Sequence, residues 1–225
     1  LKIENYTQEI KMTFTSIKTL KDIEKNIPQK SGGGGGAKKF FNLQSGDTYK
    51  IRFRQELTED SKNFDEEAGT GIIVPVVTSP INWKWRCAST AQSAEHGYRC
   101  WASEQIGQDG RWKPKPHLLI NIAVEIDGAW EPRILDTTFN QRHIGLILME
   151  YAKEFGSIVN QNFKYSRTGS GAQDTNYSLI PLGESEADAS IADLQMHQLD
   201  NVYMTLGYDK QKQFLTTGEL NSDSW

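Results

Sequence analysis

The 225-residue sequence has little that would anchor a guess about its chemistry. It has two cysteines, so no disulfide framework can staple it. No apolar run approaches the ~20 residues of a spanning helix, which excludes one. The N-terminus lacks the apolar core of a signal peptide. Enzyme motifs are missing too. Gly32 to Lys39 has the glycines of a phosphate-binding loop but neither the second glycine, replaced by Ala37, nor the Ser/Thr, replaced by Lys39. There is no Gly-x-Ser-x-Gly elbow and no His-Glu-x-x-His. The four histidines, His96, His117, His143 and His197, are scattered, with no nucleophile tied to any of them. No catalytic activity is expected.

A surplus of positive charge is also missing. The net charge is -4, which argues against a nucleic-acid binder until its distribution is read. Residues 184–225 hold eight acids against Lys210 and Lys212, or -6, whereas residues 1–183 hold 23 bases against 21 acids, or +2. A mildly basic body carries an acidic end.

Residues 1–36 read as an arm. Phe14, Ile17, Leu20, Ile23 and Ile27 recur at three or four, with Lys18, Lys21, Lys25 and Lys30 between them, a short basic helix ending before Pro28. Gly32 to Gly36 is a flexible linker. Gln8-Glu9 can be encoded with a ribosome-binding AGGAG two codons before Lys11-Met12, so residues 1–11 are expected to be untranslated leader and Met12 the start.

Residues 37–183 read as strands. Tyr49 to Arg54 alternates apolar with basic, placing Ile51 and Phe53 on one face and Arg52 and Arg54 on the other. Further strands are expected at Ile72–Val77, interrupted by Pro75, at Trp83–Cys87, at Leu118–Ile126 turning at Asp127-Gly128, and at Trp130–Leu135. Phe163–Arg167 and Tyr177–Ile180 flank a turn at Gly169-Ser170-Gly171. One helix, Asn140–Phe155, interrupts them and stops at Gly156. Short strands with one inserted helix point to a mainly β fold, a small barrel. In residues 184–225, Ile191, Leu194 and Leu199 suggest a C-terminal helix within the acidic segment.

The distinctive signal is cations interleaved with flat rings. Trp83, Lys84, Trp85, Arg86, Tyr98, Arg99, Trp101, Arg111, Trp112, Lys113, Lys115 and His117 follow one another, with four of the six tryptophans and six Lys/Arg against three acids. Unpaired nucleic acid asks for that mixture: cations follow the phosphates and rings stack on bases at ~1–3 kcal/mol each. Trp83 and Trp85 would share one strand face, Lys84 and Arg86 the other. Both faces cannot be core.

In their order, these residues resemble a family, the single-stranded DNA-binding proteins of tailed phages, including the zinc-bearing proteins of T-even phages. The resemblance covers Lys39 to Leu182. It rests on Gly46 with Ile51-Arg52-Phe53, an aromatic-basic strand ending in Cys87, Cys100-Trp101-Ala102, a basic run before Asn121-Ile122-Ala123-Val124, Gly128 with Arg133-Ile134-Leu135, and Gly169-Ser170-Gly171 with Thr175-Asn176-Tyr177 ending at Pro181.

That resemblance implies an OB-fold Greek-key barrel with an inserted helix and a small finger-like lobe, binding single-stranded DNA without reading sequence. It implies DNA contacts from Arg52, Arg54, Trp83, Trp85, Lys113, Lys115 and Tyr177. Charge and composition add Lys84, Arg86, Arg111, Trp112, Lys164 and Arg167. It implies a role in phage replication, recombination and repair in the cytoplasm of an infected bacterial host, self-association along DNA, and replication partners recruited by the acidic tail, with Asp223 and Trp225 as contacts. No cofactor is expected. The family's zinc site would draw on Cys87 and Cys100, with His96 the nearest further ligand, but Ser103 stands where its third cysteine would be. Strand annealing or recombination mediation, a replisome interaction module and a metal-dependent nuclease are the rival readings.

Overall fold

The computed structural model describes residues 39–90, 99–139, 143–171 and 174–220. The expected N-terminal arm, His96, Asp223 and Trp225 lie outside them. Seven described strands form an antiparallel sheet: β1 (Thr48–Phe53), β2 (Ile72–Thr78), β3 (Arg86–Ala88), β4 (Lys115–Ile126), β5 (Ala129–Thr138), β6 (Gln161–Thr168) and β7 (Asn176–Glu184). The order is β3-β2-β4-β1-β6-β7, with β5 also paired to β4. Four described α-helices accompany them: α1 (Trp101–Gln105), α2 (Gly145–Phe155), α3 (Ala189–Ala192) and α4 (Tyr208–Thr217). Among the described residues no helix is long and apolar enough to cross a membrane.

The chain divides into two compact units. Among the described residues the larger combines 39–74 with 116–202, the smaller 75–115 with 203–220. The boundary expected at 183/184 therefore falls inside the larger unit.

In the larger unit the period-2 pattern does what alternation demands. Ile51 and Phe53 of β1 meet Leu118, Ile120, Ile122 and Val124 of β4, Leu135 of β5 and Phe163 of β6 in one core. The Phe53 and Phe163 rings pack edge-on at 5.2 Å. The β4–β5 hairpin closes at Asp127 (φ 51°) and Gly128 (φ 81°), the paired positive φ values of a two-residue hairpin turn. Helix α2 and its N-cap Ile144 lay Ile144, Ile147, Leu148 and Tyr151 on that core at helical spacing. It stops at Gly156, whose φ of 74° suits a residue without Cβ.

The smaller unit has its own core: Val77, Cys87, Cys100, Trp101, Ala102, Trp112, Leu206 and Leu215. The rings of Trp101 and Trp112 meet edge-on at 5.0 Å and 78°. Helix α4 contributes Leu215 and was not foreseen. Its residues are mostly polar, and only Gln211 and Leu215 are buried. Conversely, the helix expected around Ile191 to Leu199 is a single turn, α3, because only Ile191 and Leu199 find apolar cover there.

Candidate nucleic-acid interface

The outward face of β1 carries the cations. Lys50, Arg52 and Arg54 alternate with the core residues Ile51 and Phe53. Sheet register builds a row across this face. Trp130 of β5 is opposite Glu125 of β4, Lys50 pairs with Glu125 at 3.2 Å, Lys164 of β6 is directly opposite Lys50, and Ile180 of β7 is opposite Lys164. One step along, Arg52 lies between Ala123 of β4 and Asn162 of β6.

An open basic face was expected at Arg52 and Arg54, and the structure covers it. Arg52 is only 5% exposed. Its guanidinium donates to Asn162 Oδ1 (3.3 Å), Ser185 Oγ (3.2 Å) and the Ser185 carbonyl (3.0 Å). Arg54 donates to the Leu194 carbonyl at 3.1 Å. Burial pulls both guanidinium groups below their ordinary value. Residues 185–199 form a strap over this face. Asn121 of β4 fixes it, its Oδ1 accepting from His197 N (2.8 Å) and its Nδ2 donating to the His197 carbonyl (2.9 Å). Ile191 and Leu199 bury beneath the strap's acidic exterior.

Lys164 is exposed on the same face. Arg167 and Tyr177 serve the far end of the β6–β7 hairpin, where they are opposite each other. Arg167 donates to the Leu43 carbonyl at 2.7 Å and sits 5.7 Å over the Tyr177 ring. Tyr177 stacks with both His143 (5.2 Å, 22°) and Tyr165 (6.0 Å, 25°). The ring foreseen for bases is already stacked on protein.

In the smaller unit the aromatic-basic segment separates into tip, prop and core. The strand expected from Trp83 begins only at Arg86, so Trp83 and Trp85 do not share a strand face. Asn82 breaks it, its Oδ1 accepting from Lys84 N (3.1 Å) and its carbonyl from Trp85 N (3.0 Å). This places Ile81 (63% exposed), Trp83 (68%) and Lys84 at the tip of the β2–β3 hairpin, with Lys84 Nζ 5.8 Å from the Trp83 ring. Trp85 is half-buried against Gly218. Arg86 lies over Tyr203 at 5.5 Å. Trp112, expected to stack bases, is core because its turn packs it on Trp101. Arg111 is chelated by Asp109, which raises its own affinity for protons and lowers that of the carboxylate. Lys113 and Lys115 remain exposed where β4 begins.

The cysteines close the smaller unit. Cys87 is fully buried, and burial, with Cys100 nearby, pushes its thiol up to about 12. Burial raises Cys100 as well, but hydrogen bonds from Ser103, Ser89 and Thr90 outweigh it and leave that thiol below its ordinary value. Gln211 Oε1 accepts from the Ala102 amide (3.0 Å) and the Cys100 thiol (3.4 Å), while its buried Nε2 has no hydrogen-bond partner. Two thiols are two of the four ligands that a tetrahedral structural zinc site needs, and His96 lies outside the described residues. Among the described residues no three His, Cys, Asp or Glu side chains group as metal ligands.

A cavity of about 840 Å³ in the larger unit, lined by Leu57, Ile73, Leu118, Phe139 and Met149 with Glu59, Asp60 and Lys153, is apolar with a mixed-charge rim and unlike a phosphate groove. The residues that sequence reasoning missed are Lys50, Trp130, Asn121, His197 and Gln211. Only Lys50 left a trace, as the first cation of the β1 alternation. Compared with protein-family models, curated proteins and solved structures, the chain matches none.

Proposed function

We propose that this protein binds single-stranded DNA without sequence preference, through an OB-type barrel in the larger unit. The observation that carries this reading is the strand path. Taken as five strands, β1, β4, β5, β6 and β7 run in the sheet order β5-β4-β1-β6-β7, with α2 between β5 and β6. That is the order of an OB barrel opened between its third and fifth strands, and such barrels bind oligonucleotides across strands two and three and the adjoining loops. In this chain one segment of the smaller unit, 75–115, lies between the first and second of those strands, and the other begins after the fifth, at Tyr203.

On the larger unit the cations Lys50, Arg52, Arg54 and Lys164 of the outward face follow the phosphates; on the smaller unit, taken by itself, Trp83 with Lys84 offers a base platform at the β2–β3 hairpin tip. Lys113 and Lys115 add phosphate contacts. The strap, residues 185–199, competes with DNA for the face, and the acidic chain end recruits replication partners. Binding protects single strands and destabilises duplex by mass action.

Fluorescence anisotropy of labelled oligo-dT, oligo-dA and duplex at two salt concentrations tests this. Both single strands bind, duplex binds less well, and affinity falls steeply with salt through counterion release. Absence of single-strand binding at low salt removes the proposal.

A further inference from the structure

Helix α2 has apolar residues on two sides, and folding uses one of them. Ile144, Ile147, Leu148 and Tyr151 pack on the core of the larger unit. Leu146 and Met149, three apart, are exposed instead, and Lys153 continues their row. Met149 and Lys153 line the cavity of about 840 Å³ together with Ile73 of β2, which is 48% exposed, and Leu57 of the loop after β1. Its walls are fastened to each other. Lys62 N donates to the Gly156 carbonyl (2.9 Å) and Asn63 Nδ2 to Ser157 Oγ (2.8 Å), tying that loop to the end of α2. The groove is therefore formed before anything fills it, and its volume is that of a binding site.

The lip of the groove is acidic. Glu59 and Asp60 stand on the cavity itself. Asp65, Glu66 and Glu67 follow in the same loop, all exposed, against Lys62 alone. The Lys62 ammonium is engaged by the Phe155 carbonyl at 3.2 Å. An apolar groove with an acidic lip suits an apolar stripe flanked by cations.

This chain carries such a stripe outside its described residues. Phe14, Ile17, Leu20, Ile23 and Ile27 recur at three or four. Lys18, Lys21 and Lys25 make a second row at the same spacing, with Asp22 and Glu24 the acids among them. The tether fits as well. The Lys39 carbonyl accepts from Ile134 N at 2.7 Å, which places the start of the described chain. Phe139, on the cavity, is roughly 17 Å further along β5 at strand rise. The twelve residues from Ile27 to Lys39 include Gly32 to Gly36, and a glycine-rich tether of that length reaches ~19 Å. Reach and span match, the condition under which a tethered segment is held at an effective concentration of order 1 mM.

We propose that residues 14–27 dock in this groove of their own chain, the apolar stripe against Leu57, Ile73 and Met149 and the lysine row toward Glu59 and Asp60. No nucleic acid enters into this contact, so it stands apart from the single-strand reading.

Hydrogen exchange of the full chain, read by mass spectrometry at a low and a high protein concentration, tests it. Amides of 14–27 are expected to exchange about tenfold slower than unprotected peptide, equally at both concentrations. Met149→Asp puts a carboxylate at an exposed groove position and should return them to the unprotected rate while β4 and β5 exchange as in the parent. Leu20→Asp should do the same from the arm and also speed exchange in 57–61. If Met149→Asp disturbs β4, Leu20→Asp decides alone. An unprotected 14–27 segment in the parent overturns the docking, and so does protection that survives Leu20→Asp. Protection that grows with concentration gives the groove to a second copy and overturns docking within one chain.

Discussion

The indole of Trp85 fills the space that Gly218 leaves by having no side chain. A Cβ on Gly218 would overlap the ring's Nε1 and Cε2. Gly218 also holds φ +77° as the C-cap of α4. Two demands, backbone conformation and room for an indole, coincide at one residue.

Gly218→Ala is therefore expected to destabilise the protein by about 2–4 kcal/mol, combining left-handed strain with a displaced ring. The urea midpoint measures it. A midpoint equal to that of the parent would mean that Trp85 leaves its position at no cost.

Trp83 and Trp112 separate stacking from packing. Trp112→Ala opens the smaller unit's core and should cost roughly 3–5 kcal/mol. Trp83→Ala removes an exposed ring, so thermal stability should hold while oligo-dT affinity drops by about 1–3 kcal/mol, the worth of one stacked base. Retained affinity would remove Trp83 from the interface.

The thiols give a pH prediction with a definite sign. Cys87 is pushed up to about 12 from an ordinary value near 9. The folded state thus favours its neutral form. Its contribution is fully present below pH 9 and is lost as pH rises from there toward 12, because the unfolded chain releases the proton first. Denaturation midpoints between pH 8 and 11 should fall accordingly, and Cys87→Ala should fall less steeply. In the native protein at pH 8, iodoacetamide should mark Cys100, lowered by its hydroxyl neighbours, ahead of Cys87. Peptide mapping that found Cys87 labelled first would contradict the arrangement.

Asn121 is the peg of the strap. Asn121→Ala deletes two bonds to the His197 main chain and leaves its amide and carbonyl unsatisfied. Hydrogen exchange at the His197 amide should accelerate, with about 1–3 kcal/mol of local stability lost. Exchange as slow as in the parent would show that Ile191 and Leu199 hold the strap unaided.

Strand positions were legible because alternation at Tyr49–Arg54 and the Asp127-Gly128 turn are local signals. The stop at Gly156 is another. What escaped was whatever depends on a distant partner. Arg52 reads as a solvent cation until Ser185, 133 residues on, is seen to cap it. Trp112 and Trp83 have the same composition around them, and only the Trp101 contact tells core from surface. Helix α4 is mostly polar, and its reason for forming is the pair Gln211 and Leu215, which meet Cys100 and the smaller unit's core. Lys164, chosen by charge, is exposed beside Lys50, which was passed over because its neighbour across the sheet was unknown.

β4 has no solvent side: from His117 to Val124 every residue is buried. Its even positions enter the core, and at Asn121 on the opposite face the cover is the strap. A protein trimmed at Gly183 would thus not be a clean binding domain relieved of an acidic tail. It would be a sheet with one wall removed, its central strand bared, Arg54 stripped of its acceptor and Arg52 left with Asn162 alone. Whatever lifts the strap in the intact chain must therefore itself roof β4, and a bound strand, with apolar rings and anionic edges, is a roof of that kind.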